Sequence, residues 1–260
     1  ETLQTIVPYY TVHSPDQEGL DRCEAMLEPL QEEYGLKIHL WQEGVQVPSQ
    51  DYLLTPEHSV EAYEKCLPML EKAIRAYPAD IYKKIGKKSA NKKLTVALVR
   101  EITGRNELGS PTREQGVYFI HDGSVYLILT VNEQIEATFY HQLFHAMDSY
   151  ILVEAKTYDD WGLLNPEGFA YDNSYLLNET RDPQNYLEEE TRAFIDLYSM
   201  SYPKEDRATI MEYAMQPGME AYFTSSIMQK KLDTLCNGIR KAFRLKGEEG
   251  TLPWEQYLNA

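Results

Sequence analysis

Two runs rich in β-branched and aromatic residues, Gly116–His121 (GVYFIH) and Ser124–Thr130 (SVYLILT), are separated only by Asp122-Gly123. Both turn residues tolerate a positive φ, which a two-residue hairpin connection needs, so the segment reads as a β-hairpin. That hairpin commits the middle of the chain to a sheet. Further strands are expected over 94–102 (LTVALVREI) and, more briefly, over 37–41 (KIHLW). From Glu133 onward the pattern turns helical and stays so, apart from a loop between about 159 and 183 rich in Gly, Pro, Asn and Asp. Upstream, Ser14 with Asp16 and Glu18, followed by Leu20, Met26, Leu27 and Leu30, predicts a capped amphipathic helix. A second helix is predicted from Pro56 and Glu57 to Ala76, ending before Pro78, and a last one over 219–245. The expected fold is α+β: a small mixed sheet with an edge hairpin in an N-terminal lobe, 1–130, and a mostly helical lobe, 131–260, together forming one unit.

Composition narrows the functional classes. The chain has 260 residues, 43% of them hydrophobic and 12% aromatic, 20 of them Tyr, which argues against intrinsic disorder. A net charge of −16 argues against nucleic acid as a partner, because phosphate binding needs surplus Lys and Arg. The acid is concentrated in the second half, which hints at neutral or basic peptides as partners through electrostatic steering. No apolar run is long enough for a transmembrane segment; the best, 125–131, is broken by Thr130. Cys23, Cys66 and Cys236 are far apart and form no CxxC pair, which excludes a disulfide scaffold and a cysteine zinc site, and one disulfide is left open. Six lysines over 83–93 read as a solvated surface segment or, less simply, a patch for an acidic partner.

The chemistry-bearing stretch is 138–150, TFYHQLFHAMDSY. His141 and His145 stand four apart on a predicted helix, so both imidazoles project from one face, as a tetrahedral metal requires of two adjacent turns. The pair alone is equally compatible with two helix histidines satisfied by ordinary hydrogen bonds. Phe139, Leu143, Phe144 and Met147 would bury the other faces of this helix. Asp148, three residues after His145, is within reach of an imidazole that it could orient.

HxxxH followed by Ala146-x-Asp148-x-Tyr150 resembles the HExxHAxDxY stretch of gluzincin-type zinc-binding metallopeptidases, the group of the anthrax lethal factor and the Pro-Pro endopeptidases. In that group the third ligand is a Glu in the first turn of a later helix, in a pattern E-[DF]-x-A. Glu205-Asp206-Arg207-Ala208 matches it and follows Ser201 and Pro203, a cap candidate and a helix-start proline. A Tyr seven residues before that Glu stabilises the oxyanion in the group, and Tyr198 occupies the position. The resemblance covers roughly 116–215. It implies a zincin-like fold, zinc held by His141, His145 and Glu205, a peptide or protein substrate, and an extracellular or cell-surface, lipid-anchored location.

One position departs from the pattern. Gln142 stands where the group has the general-base Glu. An amide can hydrogen-bond the attacking water, but it has no basic carboxylate to take its proton, and that assistance is worth about 10²–10⁴ in rate. The resemblance therefore implies either a metalloendopeptidase-like protein that is inactive or very weak, or a non-catalytic zinc-containing module that binds peptides or proteins. Glu136 and Glu154 are nearby acids, but neither holds the helix position between the ligands. The aromatic loop 161–175 reads as a packed surface loop or as a cleft wall, with Tyr171 and Tyr175 as candidate substrate contacts.

Overall fold

The structure, a computed structural model, describes residues 16–49, 51–105, 109–155, 160–177, 184–245 and 250–259. Helix α1 (Gln17–Tyr34) buries Leu20, Cys23, Leu27 and Leu30 and stops at Gly35, whose φ of 68° supplies a left-handed cap. Met26, expected on the same stripe, is 47% exposed. The Ser14 cap lies outside the described residues. Strand β1 (Leu36–His39) is shorter than the 37–41 expectation, because Trp41 already opens the short helix α2 (Trp41–Val45). After β2 (Leu53–Thr55), helix α3 (Val60–Arg75) is capped by Ser59, whose Oγ accepts the Ala62 N–H at 3.1 Å.

The lysine-rich segment lies at the surface, as read from the sequence, but its first part is helical. Residues 83–88 belong to helix α4 (Ala79–Lys88), which buries Ile81, Tyr82, Ile85 and Gly86 and turns most of its lysine side chains outward. The single strand expected over 94–102 is two, β3 (Leu94–Val99) and β4 (Glu101–Arg105), broken at Arg100. Two sheets result. The order β1-β3-β7-β6, with β6 (Gly116–His121) and β7 (Ser124–Thr130), is parallel except for the β6–β7 hairpin; the order β2-β4-β5, with β5 (Pro111–Glu114), is antiparallel. β3 is buried throughout because both faces of the larger sheet are covered: Leu94, Val96 and Leu98 join the main core, while Ala97 and Val99 join a smaller cluster with Ile128.

Helix α5 (Ile135–Glu154) follows the hairpin and is buried on almost every side, packing on β6, β7, α3, α7 (Pro203–Ala214) and α8 (Ser226–Phe243). The one-turn α6 (Gln184–Leu187) precedes α7. The last helix starts at Ser226 rather than at 219 because the Ser225 Oγ caps it, accepting the Met228 N–H at 3.1 Å. The main core draws on residues from Leu20 to Tyr257, so apolar packing runs across the 130/131 boundary. Cys23, Cys66 and Cys236 are buried free thiols. Among the described residues no helix is long and apolar enough to cross a membrane.

β6 meets α5 at Gly116, where an added Cβ would lie 2.5 Å from Thr138 Cγ2 and 2.9 Å from Gln142 Cγ. Only a residue without a side chain permits this approach. Gly116→Ala should lower stability by roughly 1–3 kcal/mol through overpacking. Gly162→Ala, where a Cβ meets nothing within 4 Å, should stay within about 0.5 kcal/mol. Urea unfolding of both variants measures the difference, and equal midpoints would contradict the packing.

Candidate metal centre

α5 carries His141 and His145 one turn apart, and the first turn of α7 carries Glu205. Pro203 opens α7 after Tyr202, whose extended backbone forms the N-cap. Ser201, the expected cap, instead donates its hydroxyl to the Tyr198 carbonyl at 2.5 Å. The three donors converge: His141 Nε2 lies 3.2 Å from Glu205 Oε2 and 3.2 Å from His145 Nε2, and His145 Nε2 lies 3.1 Å from Glu205 Oε2. Bonds of about 2.0–2.1 Å to a tetrahedral zinc place neighbouring ligand atoms roughly 3.3–3.4 Å apart. The near-equilateral triangle is thus close to one face of a zinc tetrahedron. All three side chains are at most 10% exposed, and together they form a group that could hold a metal ion.

The partners of these donors define their state. Glu212 Oε2 lies 3.0 Å from His141 Nδ1. A carboxylate only accepts, so Nδ1 carries the hydrogen and Nε2 turns its lone pair to the centre. Lone pairs from two imidazoles and a carboxylate repel unless a cation, metal or proton, sits among them. Burial opposes the His141 imidazolium in the metal-free protein, but Glu205 and Glu212 override it and raise its pKa to about 9. Burial likewise opposes ionised Glu205, yet the two histidines hold its carboxyl well below the usual range. Tyr118 stacks on His145 with centroids 6.1 Å apart. Glu212 was missed from sequence, although its place two turns after Glu205 puts it on the same face of α7.

Asp148 takes a different partner from the one expected. Its carboxylate accepts Arg207 Nε at 2.9 Å and Nη2 at 2.7 Å, joining α5 to α7 instead of orienting an imidazole. Tyr171 and Tyr175 also lie elsewhere. Tyr171 donates its hydroxyl to Asp206 at 2.6 Å, and Tyr175 is buried in a separate cluster with Phe194 and Met200. Loop 161–175 is therefore packed against the protein through Trp161, Tyr171 and Tyr175. Asp206 is fully buried and also accepts Lys231 Nζ at 2.7 Å and Trp161 Nε1 at 3.1 Å.

Tyr198 and Gln142 do border the donors. The Tyr198 ring stands 6.0 Å from that of His141 on a short turn braced by Asp196 and Ser199. Partial desolvation of its hydroxyl, and then the adjacent Glu205 charge, push its pKa well up, although the residue as a whole is 44% exposed. Gln142 is 9% exposed and lines a cavity of about 760 Å³ with His141, Tyr198 and Glu212; its amide has no hydrogen-bond partner among the described residues. Glu136 pairs with Lys72 at 2.7 Å and Glu154 with Lys88 at 2.7 Å.

No sequence-family model matches the chain, and no curated protein matches it. Among solved structures, a candidate zinc-binding metallo-peptidase from Bacteroides caccae is similar, with a TM-score of 0.51 over 88% of this chain and 87% of that one, at 13% identity. At that identity the likeness shows the fold alone. The chain has a metallopeptidase-like α+β fold, and it carries a His-His-Glu group of metal-binding type.

His141 titrates near 6.5 in an unfolded chain, so its raised value makes the imidazolium a stabilising charge. That contribution is complete below about pH 6.5 and is lost as pH rises through about 9. Glu212→Gln should flatten this loss in metal-free protein and weaken zinc binding by about 10–100-fold. Denaturation across that pH range and competition with a chromophoric chelator measure the two effects. An unchanged affinity would show that Glu212 does not support His141.

Proposed function

We propose that this chain is a zinc-metallopeptidase-like protein that binds peptide or protein segments beside a zinc held by His141, His145 and Glu205, and that Gln142 leaves it inactive or very weak as a peptidase. The observation that carries the reading is the triangle of donor atoms 3.1–3.2 Å on each side. A bound zinc supplies Lewis acidity toward a carbonyl oxygen and a lowered pKa for water. The chain's own groups do the rest. The Tyr198 hydroxyl, held protonated by its surroundings, donates a hydrogen bond to negative charge growing on a substrate carbonyl. The Gln142 amide positions a water or a peptide group but accepts no proton. The two lobes, 1–130 and 131–260, would act as one unit around the cavity, and an extracellular or cell-surface, lipid-anchored location is part of the proposal.

The second reading, a zinc-containing module that holds peptides without cleaving them, is favoured by Gln142 itself. Gln142→Glu separates the two. With zinc content unchanged, a peptidase frame should gain about 10²–10⁴ in the cleavage of quenched fluorescent peptides. Full zinc with no cleavage in the variant would favour binding alone.

A further inference from the structure

The cavity beside Gln142 carries charge that the metal chemistry does not use. It is bounded by the end of β5, the start of α5, the turn before Tyr198 and one face of α7. Each of these supplies a carboxylate: Glu114, Glu133, Asp196 and Glu212. Glu212 is taken by His141. The cations on the wall are also taken, Lys72 by Glu136 at 2.7 Å and Arg113 by Glu101 at 3.0 Å. Glu114 accepts the Thr112 hydroxyl at 2.7 Å and Asp196 the Ser199 N–H at 2.8 Å, neutral donors that orient a carboxylate without cancelling its charge. Among the described residues, no cation pairs with Glu114, Glu133 or Asp196.

The lining is unsatisfied as well. Thr209 is 2% exposed and lines the same cavity, and its Oγ1 has no hydrogen-bond partner among the described residues. Gln142 lines the same wall. Buried polar groups are almost always bonded, so the orphaned Thr209 hydroxyl lining the cavity points to an occupant that brings polar atoms. Tyr213, Pro217 and Met219 offer apolar surface to a long side-chain stem. A volume of 760 Å³ is within the range of binding pockets and holds a side chain together with its adjoining backbone.

We infer that this cavity receives a Lys or Arg side chain of a bound peptide, its charge facing Glu114, Glu133 and Asp196 and its polar atoms meeting Thr209 and Gln142. The inference rests on the peptide-binding role proposed above. An extended stem ending in a cation matches apolar surface and uncompensated carboxylates together, whereas an acidic residue would be repelled.

Affinity selection from a random hexapeptide display library on immobilised, zinc-loaded protein tests it, with the Glu114→Gln/Glu133→Gln double variant in parallel. Selected peptides should be enriched about tenfold for Lys and Arg at one position at low salt. The enrichment should fall away at high salt and on the double variant. Charge-blind selection, recovery of no peptide, or equal enrichment on the variant would overturn the assignment. Zinc content measured on the same immobilised protein separates the two levels. Full zinc with charge-blind selection sinks only the cationic pocket, and absent zinc sinks the reading on which it rests.

Discussion

The fork from Arg207 to Asp148 holds the site together. Both nitrogens reach the carboxylate at 2.7–2.9 Å, and both side chains are at most 8% exposed. Asp148 is three residues beyond His145 and Arg207 two beyond Glu205, so the fork joins the helices at the level of the donors. Asp206, between Glu205 and Arg207, is fastened to Lys231 of α8 and to Tyr171 and Trp161. These contacts set the rotation of the first turn of α7, which must turn Glu205 toward the imidazoles. Buried ion pairs are weak sources of net stability, because desolvation offsets their attraction. Directional, bidentate geometry is what they add here.

Local pattern revealed the parts of the structure that depend on local pattern. The Asp122-Gly123 hairpin, the buried α5 and the helix start at Pro203 all follow from turn chemistry, periodicity and fixed proline φ. Glu205 is legible in the sequence because Glu205-Asp206-Arg207-Ala208, with Tyr198 seven residues earlier, resembles the pattern of the metallopeptidase group. The failures share one cause. Asp148 and Tyr171 bond to residues 59 and 35 positions away, and no helical or strand period shows which group arrives across such a distance. The break at Arg100 was equally hidden, since 94–102 is one β-prone run whose two halves enter different sheets. Lysines over 83–88 masked a helix because only its buried face, Ile81, Tyr82 and Ile85, carries the signal.

Gln142 gives the site its particular character. An amide has the shape of the carboxylate that the resembled pattern carries here, so Gln142 fits closely against Gly116 and leaves the donor triangle intact. What it removes is a proton acceptor, in a cavity that already holds several acids committed to other partners or facing open space. On the proposed reading, the site would hold a metal without a carboxylate at position 142 to move a proton beside it.

The proposed function depends on His141, His145 and Glu205 binding zinc together. X-ray absorption at the zinc edge, on protein purified without chelator and with zinc counted by elemental analysis, tests it most directly. The expected spectrum shows about one zinc per chain with nitrogen and oxygen neighbours at about 2.0–2.2 Å, imidazole scattering from two rings and no sulfur. Zinc-free protein that fails to take up the metal, or a zinc bound through sulfur at about 2.3 Å, would contradict it.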